Sequence, residues 1–215
     1  MPKPTSGIGD REGNRRRVND IDFFGSHLDE DGRRQWMIDN LRLSRDDADE
    51  QAKAINYFTD TYTEIHNGED TYRNDMIDRA LDNRNAPVYS GEQYRGIRIR
   101  SNDMPNGVTM RQFIQDIINS GTWKENGATS FSATKRIAES FAGLHYSSAG
   151  RDYIPVMINY KGRHGMPIKH MSEFASEDEV LHSRKQMKGG YDIVSHRWAD
   201  DGSAVYITLR DRKRK

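Results

Sequence analysis

The stretch Tyr94-Arg95-Gly96-Ile97-Arg98-Ile99 alternates basic with bulky residues at the two-residue period of a pleated backbone, and it divides the chain into two kinds of text. Before it, from Leu28 to about Asn85, apolar residues recur at helical spacing. Ser44 followed by Asp46 and Asp47 predicts an N-cap with acids in the first turn. Ala48, Ala52, Ile55, Phe58, Tyr62 and Ile65 then form the stripe of one amphipathic helix, ended by His66-Asn67-Gly68. Tyr72, Met76, Ile77, Ala80 and Leu81 predict the next, which Asn85-Ala86-Pro87 stops, and Trp36, Met37 and Leu41 predict an earlier one. After it the chain is written mainly in short strands. Tyr153 to Tyr160 (YIPVMINY) reads as a buried strand, and Tyr191 to Ser195 with Ala204 to Leu209 flank the turn Ala199-Asp200-Asp201-Gly202 as a hairpin. Two helices interrupt the strands, one carrying Met110, Phe113, Ile114, Ile117 and Ile118, the other over Thr134 to Phe141. Helices first and strands later predict an α+β fold: a helical lobe over 21–86, then a core over 87–215 of two mostly antiparallel β-sheets around a cleft.

Composition narrows the function classes. Lys+Arg and Asp+Glu both number 33, so the net charge is zero and no global field steers the chain toward nucleic acid or an anionic membrane. No apolar run approaches the roughly 18 residues of a membrane span. Residues 1–20 hold Pro2, Pro4 and Arg15-Arg16-Arg17 but no apolar segment suited to a signal peptide, and read as a mobile polar leader. The absence of cysteine excludes disulfides, metal thiolates and a thiol nucleophile. Histidines without ligand spacing predict no metal.

Three short segments carry candidate chemistry: Tyr94-Arg95-Gly96, Thr129-Ser130-Phe131-Ser132 and Glu177-Asp178-Glu179. Singly, each has an ordinary reading. Arg95 on a strand is more often a solvated or paired surface arginine than a phosphate ligand, Ser130 reads as a hydroxyl satisfied by backbone, and a Glu-x-Glu in so charged a chain is usually a solvated face. Their order changes this. An arginine on an early strand, a Ser-x-Ser leading into a helix and a Glu-x-Glu opening a late strand resemble the R-S-E class of mono-ADP-ribosyltransferases, the class of bacterial toxins, effectors and phage enzymes. Ser130-Phe131-Ser132 is followed by Ala138-Glu139-Ser140-Phe141, similar to the family's Ala-x-x-Phe. Glu177-Asp178-Glu179-Val180-Leu181 precedes the last hairpin, as the family's final motif does. The resemblance covers about Tyr94 to Leu209 and nothing specific before it. Phe131 stands where the family has Thr, which alternation along a strand tolerates. No arginine follows Phe141 closely, where some members carry a second phosphate contact.

The resemblance implies NAD+ as substrate, bound in the cleft between the sheets, and a target protein with an acceptor arginine as partner. Nicotinamide leaves NAD+ neutral, so what needs stabilising is positive charge on the ribose. By resemblance Glu179 does this from the 2′-hydroxyl as an exposed cleft carboxylate, with Ser130 holding it. Arg95 grips phosphate, Gly96 lets backbone approach the carboxamide, and Phe141 stacks on nicotinamide or else is a core residue of its helix. In extended backbone Glu177 and Glu179 would share a face roughly 6–7 Å apart. In the family a Glu in the place of Glu177 goes with arginine acceptors, and Phe174 stands where an acceptor-recognising aromatic occurs or is an ordinary loop residue. Two alternatives stay open, an NAD+ glycohydrolase and an inactive copy serving as a binding module. A polar leader and no cysteine suit an effector delivered into host cytoplasm and suit a phage enzyme equally.

Overall fold

The computed structural model describes residues 15–147, 151–187 and 189–212. Of the leader expected over 1–20, residues 1–14 lie outside the described residues. The rest is tied into the fold: Arg15 donates through Nε to the Ala86 carbonyl at 3.1 Å, and β1 (Arg17–Val18) pairs in parallel with β2 (Val88–Tyr89), burying Val18.

The helical lobe contains α1 (Glu30–Leu41), α2 (Arg45–Asp60), α3 (Tyr62–His66) and α4 (Thr71–Asp82). Asp29, Ser44 and Asp70 cap α1, α2 and α4 by accepting from the third amide on. Trp36, Met37, Leu41, Ala48, Ala52, Ile55, Phe58, Met76, Ile77, Ala80 and Leu81 are buried as the spacing predicts, whereas Tyr72 is exposed. One expectation fails. The single helix through Ile65 is broken at Thr61, whose backbone leaves the helical region (φ -134, ψ 65). The run Thr59-Asp60-Thr61 supplies side chains that compete with the helix for its own backbone, and Thr59 Oγ1 does so by donating to the Asn56 carbonyl at 2.8 Å.

The eight-stranded sheet runs β4-β9-β10-β6-β3-β5-β8-β7, with β3 (Gln93–Arg100), β4 (Thr122–Trp123), β5 (Thr129–Ser132), β6 (Tyr153–Tyr160), β7 (Met166–Pro167), β8 (Glu179–His182), β9 (Tyr191–Trp198) and β10 (Val205–Arg210). All of its pairs are antiparallel except β10 with β6. The two expected sheets are its two halves, for β3 and β5 meet only at Tyr94 opposite Ser132. Phe131, Val156, Ile158, Tyr160, Val205, Ile207 and Leu209 fill a core beneath the first half, against Ile114 and Ile118 of α5 (Met110–Ser120). The other half shares its core with the helical lobe: Ala128, Met166, Ile168, Met171 and Leu181 join the α1, α2 and α4 cluster. Helix α6 (Lys135–Ala142) crosses β3 at the junction between the halves.

Candidate active site

A cleft of about 770 Å³ lies over that junction, and Arg95, Gly96, Ser130, Phe141, Phe174, Glu177 and Glu179 all line it. The seven residues singled out in the sequence, separated by up to 84 positions (95 to 179), share one cavity.

Gly96 shows why the junction can form. A Cβ there would sit 1.7 Å from the Ala138 carbonyl oxygen and 2.6 Å from the Ala142 nitrogen, so only glycine lets the α6 backbone lie directly on β3. This close crossing is a reason for glycine independent of any ligand. It turns Ala138 and Ala142 inward to full burial and leaves Phe141 half exposed in the cleft wall, which removes the core reading of Phe141.

Arg95 stands on β3 with its guanidinium held on several sides. Nη1 donates to the Ser130 carbonyl at 2.8 Å, Nη2 lies 3.2 Å from His66 Nε2, and Nε makes an ion pair with Glu125 Oε1 at 3.5 Å, too long for a hydrogen bond. Glu125 is fixed in turn by the Trp123 indole N–H at 2.9 Å. Burial and the neighbouring Arg95 cation hold the His66 imidazole below its ordinary pKa, so it faces the arginine neutral. Further along β3, Arg98 and Arg100 line the same cleft. Arg98 donates from Nη2 to the Ser140 carbonyl at 3.2 Å, and its Nε is buried without a partner among the described residues.

Glu179 opens β8 and is 5% exposed, which corrects the expectation of an exposed carboxylate. Burial pushes its pKa up to about 7; the hydroxyls of Ser172 and Ser130 and the charge of Arg95 oppose that rise, and Glu177 adds to it. Ser172 Oγ donates to Glu179 Oε2 at 3.0 Å.

The Glu-x-Glu geometry also differs from expectation. Glu177 ends a 3₁₀ turn (Ala175–Glu177), and Asp178 between the two glutamates is left-handed (φ 50, ψ 51), so the pair is not carried on extended backbone. Outside contacts hold this sparsely populated conformation. Lys169 Nζ reaches Asp178 Oδ1 at 2.7 Å, Thr134 donates to Oδ2, the Ala133 amide donates to the Asp178 carbonyl at 2.8 Å, and Ser132 Oγ donates to the Glu177 carbonyl at 2.7 Å. Glu177 is half buried, which raises its pKa, and Phe174 is half exposed at the start of the turn.

The sequence did not point to Ser172, Glu125 or His66, nor to Phe58, Thr59 and Asp60 of α2, which line the cleft. They come from the helical lobe and from loops, where no periodicity or spacing ties them to the three motifs.

At the level of sequence the chain matches no protein-family model and no curated protein. Solved structures do match. An ADP-ribosyltransferase from Clostridium botulinum is 16% identical, with 88% of this chain and 98% of that one covered at a TM-score of 0.54. The fold is that of the ADP-ribosyltransferases. HopU1 of Pseudomonas syringae pv. Tomato DC3000, another of them, is 16% identical over 88% of this chain and 90% of its own, at 0.56. Exoenzyme S from Pseudomonas aeruginosa, solved with human 14-3-3 protein beta and bound to carba-NAD, is 14% identical over 76% and 74%, at 0.50. The resemblance in the motifs is thus matched by an ADP-ribosyltransferase fold that takes in the helical lobe as well as the strands.

Proposed function

We propose that this protein transfers ADP-ribose from NAD+ to an arginine side chain of a target protein and releases nicotinamide. The observation that carries the reading is a desolvated carboxylate, Glu179, held by hydroxyls in a cleft whose other wall is cationic through Arg95 and Arg98. That is the polarity NAD+ requires: anionic pyrophosphate at one end, a ribose that becomes cationic at the other. Arg95 holds phosphate through its planar fork, and Arg98 is the second cation, brought to the end of α6 from β3 instead of following Phe141 in sequence. Phe141 covers the nicotinamide ring. The bond from ribose C1′ to the nicotinamide nitrogen breaks with its electron pair going to nicotinamide, and ionised Glu179 stabilises the cation left on the ribose. Glu177 on the turn binds the incoming guanidinium. A guanidino nitrogen bonds to C1′ and its proton passes to Glu177. That exoenzyme S is bound to carba-NAD supports an NAD site in this fold.

The test is to incubate the purified protein with adenylate-labelled NAD+ and either agmatine or a host-cell lysate. Label moves to agmatine and to protein, and Glu179→Ala abolishes both. Release of free ADP-ribose alone would replace arginine with water as acceptor, and unconsumed NAD+ would overturn the reading.

A further inference from the structure

Ser172 belongs to none of the three motifs and is fully buried, so it does not touch a ligand in the cleft. We propose that Ser172 is a positioning residue, one hydroxyl through which the helical lobe sets both the Glu179 carboxylate and the turn that carries Phe174 and Glu177. This deepens the proposed function and rests on it.

The hydroxyl is used in both directions. Its proton goes to Glu179 Oε2 at 3.0 Å, and its oxygen accepts the Phe174 amide at 3.1 Å. The backbone behind it is anchored in the lobe. Ser172 and Met171 amides both donate to the Ile168 carbonyl, at 2.9 and 2.7 Å, and Ile168 and Met171 are fully buried against the α1, α2 and α4 cluster. The next residue is braced as well: the Glu173 amide donates to Thr59 Oγ1 of α2 at 3.1 Å, and Arg33 of α1 pairs with its carboxylate at 3.4 Å. Helices that resemble nothing specific by sequence therefore fix where the reacting carboxylate points.

A neutral donor suits this place. Charged groups facing Glu179 are Arg95 on β3 and Glu177 on the turn, and Asp60 at the end of α2 lines the same cleft; the charge of Asp178 is answered by Lys169. A lysine in place of Ser172 would neutralise the carboxylate that the ribose needs, whereas a hydroxyl favours its ionised form without cancelling it.

The test is a ¹³C titration of glutamate carboxyls in the ligand-free full chain, with the Glu179 signal assigned by its loss in Glu179→Gln. Ser172→Ala is expected to raise the Glu179 midpoint by about one pH unit, the scale of one hydrogen bond to a charged group. Ser172→Cys, which keeps a side chain of similar size with a weak donor, shifts it in the same direction. The acid limb of kcat for NAD+ cleavage moves up with the midpoint, so that kcat at pH 6 falls about tenfold while KM for NAD+ is unchanged. Midpoints that coincide with wild type in both variants overturn the assignment. A midpoint that shifts in a chain that consumes no NAD+ establishes the hydroxyl's hold on Glu179 and overturns the proposed function instead.

Discussion

The two walls of the cleft are prepared in opposite ways. On the β3 wall the charge proposed to bind NAD+ is partnered: Arg95 meets a carbonyl, a carboxylate and a neutral imidazole before any ligand arrives. On the β8 wall the charge proposed to act on the ribose is kept short of counter-charge. Glu179 is more deeply buried, its close donors are the hydroxyls of Ser172 and Ser130, and the Arg95 cation offsets its burial less than those hydroxyls do. A group that binds an anion in the ground state gains from being held rigid, and its partners cost little because phosphate adds to them. A group that must stabilise a charge appearing only in the transition state gains from being desolvated, since a fully answered carboxylate has little left to offer the ribose. The fold stabilises the first wall and tolerates a penalty on the second.

The largest effect expected from this difference is on Glu179. Glu179→Gln keeps the shape and loses the charge, and is expected to lower both NAD+ cleavage and transfer by about 10²-fold or more. Near-normal turnover in the folded variant would place the reacting charge elsewhere and dissolve the contrast between the walls. Glu177 sharpens the comparison within one wall. In the proposed function it acts on the acceptor and not on the ribose, so Glu177→Gln is expected to lower transfer to agmatine by about tenfold or more while NAD+ hydrolysis changes by less than about threefold. Equal loss of both activities would make Glu177 part of the NAD+ site.

How much of this was legible follows from what kind of signal each residue leaves. The lobe helices were readable because Ala48, Ala52, Ile55 and Phe58 repeat on one face and Ser44 caps them. The strands were readable because a buried run such as YIPVMINY has few other uses. Arg95, Ser130 and Glu179 were singled out because their order along the chain resembles that of a known family, and the cleft brings them together. The turn at Asp178 was not readable, since its left-handed backbone depends on Lys169 in the preceding loop and on Thr134, which is distant in sequence, and no periodicity or spacing marks either. Nor was the burial of Glu179, because a carboxylate in a chain with 33 acidic residues looks like surface. Ser172 left no trace at all, being one serine in a loop.

The β3 wall makes a smaller prediction. Lysine keeps the charge of Arg95 but cannot keep the fork that joins Ser130 and His66 and, in the proposed function, a phosphate as well, so Arg95→Lys is expected to raise the Kd for NAD+ by about tenfold in calorimetry. The variant should unfold close to wild type, because lysine keeps the positive charge that faces the Glu125 carboxylate. Unchanged affinity would mean that Arg95 is a structural ion pair with Glu125 and that Arg98 carries the phosphate alone.

The smallest effect is on stability, and it separates the walls most directly. Burial raises the Glu179 pKa from the ordinary 4.5 to about 7, so the folded chain holds this proton more tightly than the unfolded chain does. Below pH 4.5 both states are protonated and the group imposes no penalty. As pH rises from 4.5 to 7 the unfolded state ionises first, stability drains away, and above 7 the full penalty of an ionised buried carboxylate remains. Glu179→Gln cannot ionise and escapes it. Its Tm is therefore expected to exceed that of wild type by about 5 °C at pH 8, with the gap closing as pH falls through the window and absent at pH 4. The inactive variant would be the more stable protein, as an active site that keeps its charge under-compensated requires. Coincident unfolding curves at pH 4 and pH 8 would show that Glu179 ionises without cost, and the β8 wall would then be prepared no differently from the β3 wall.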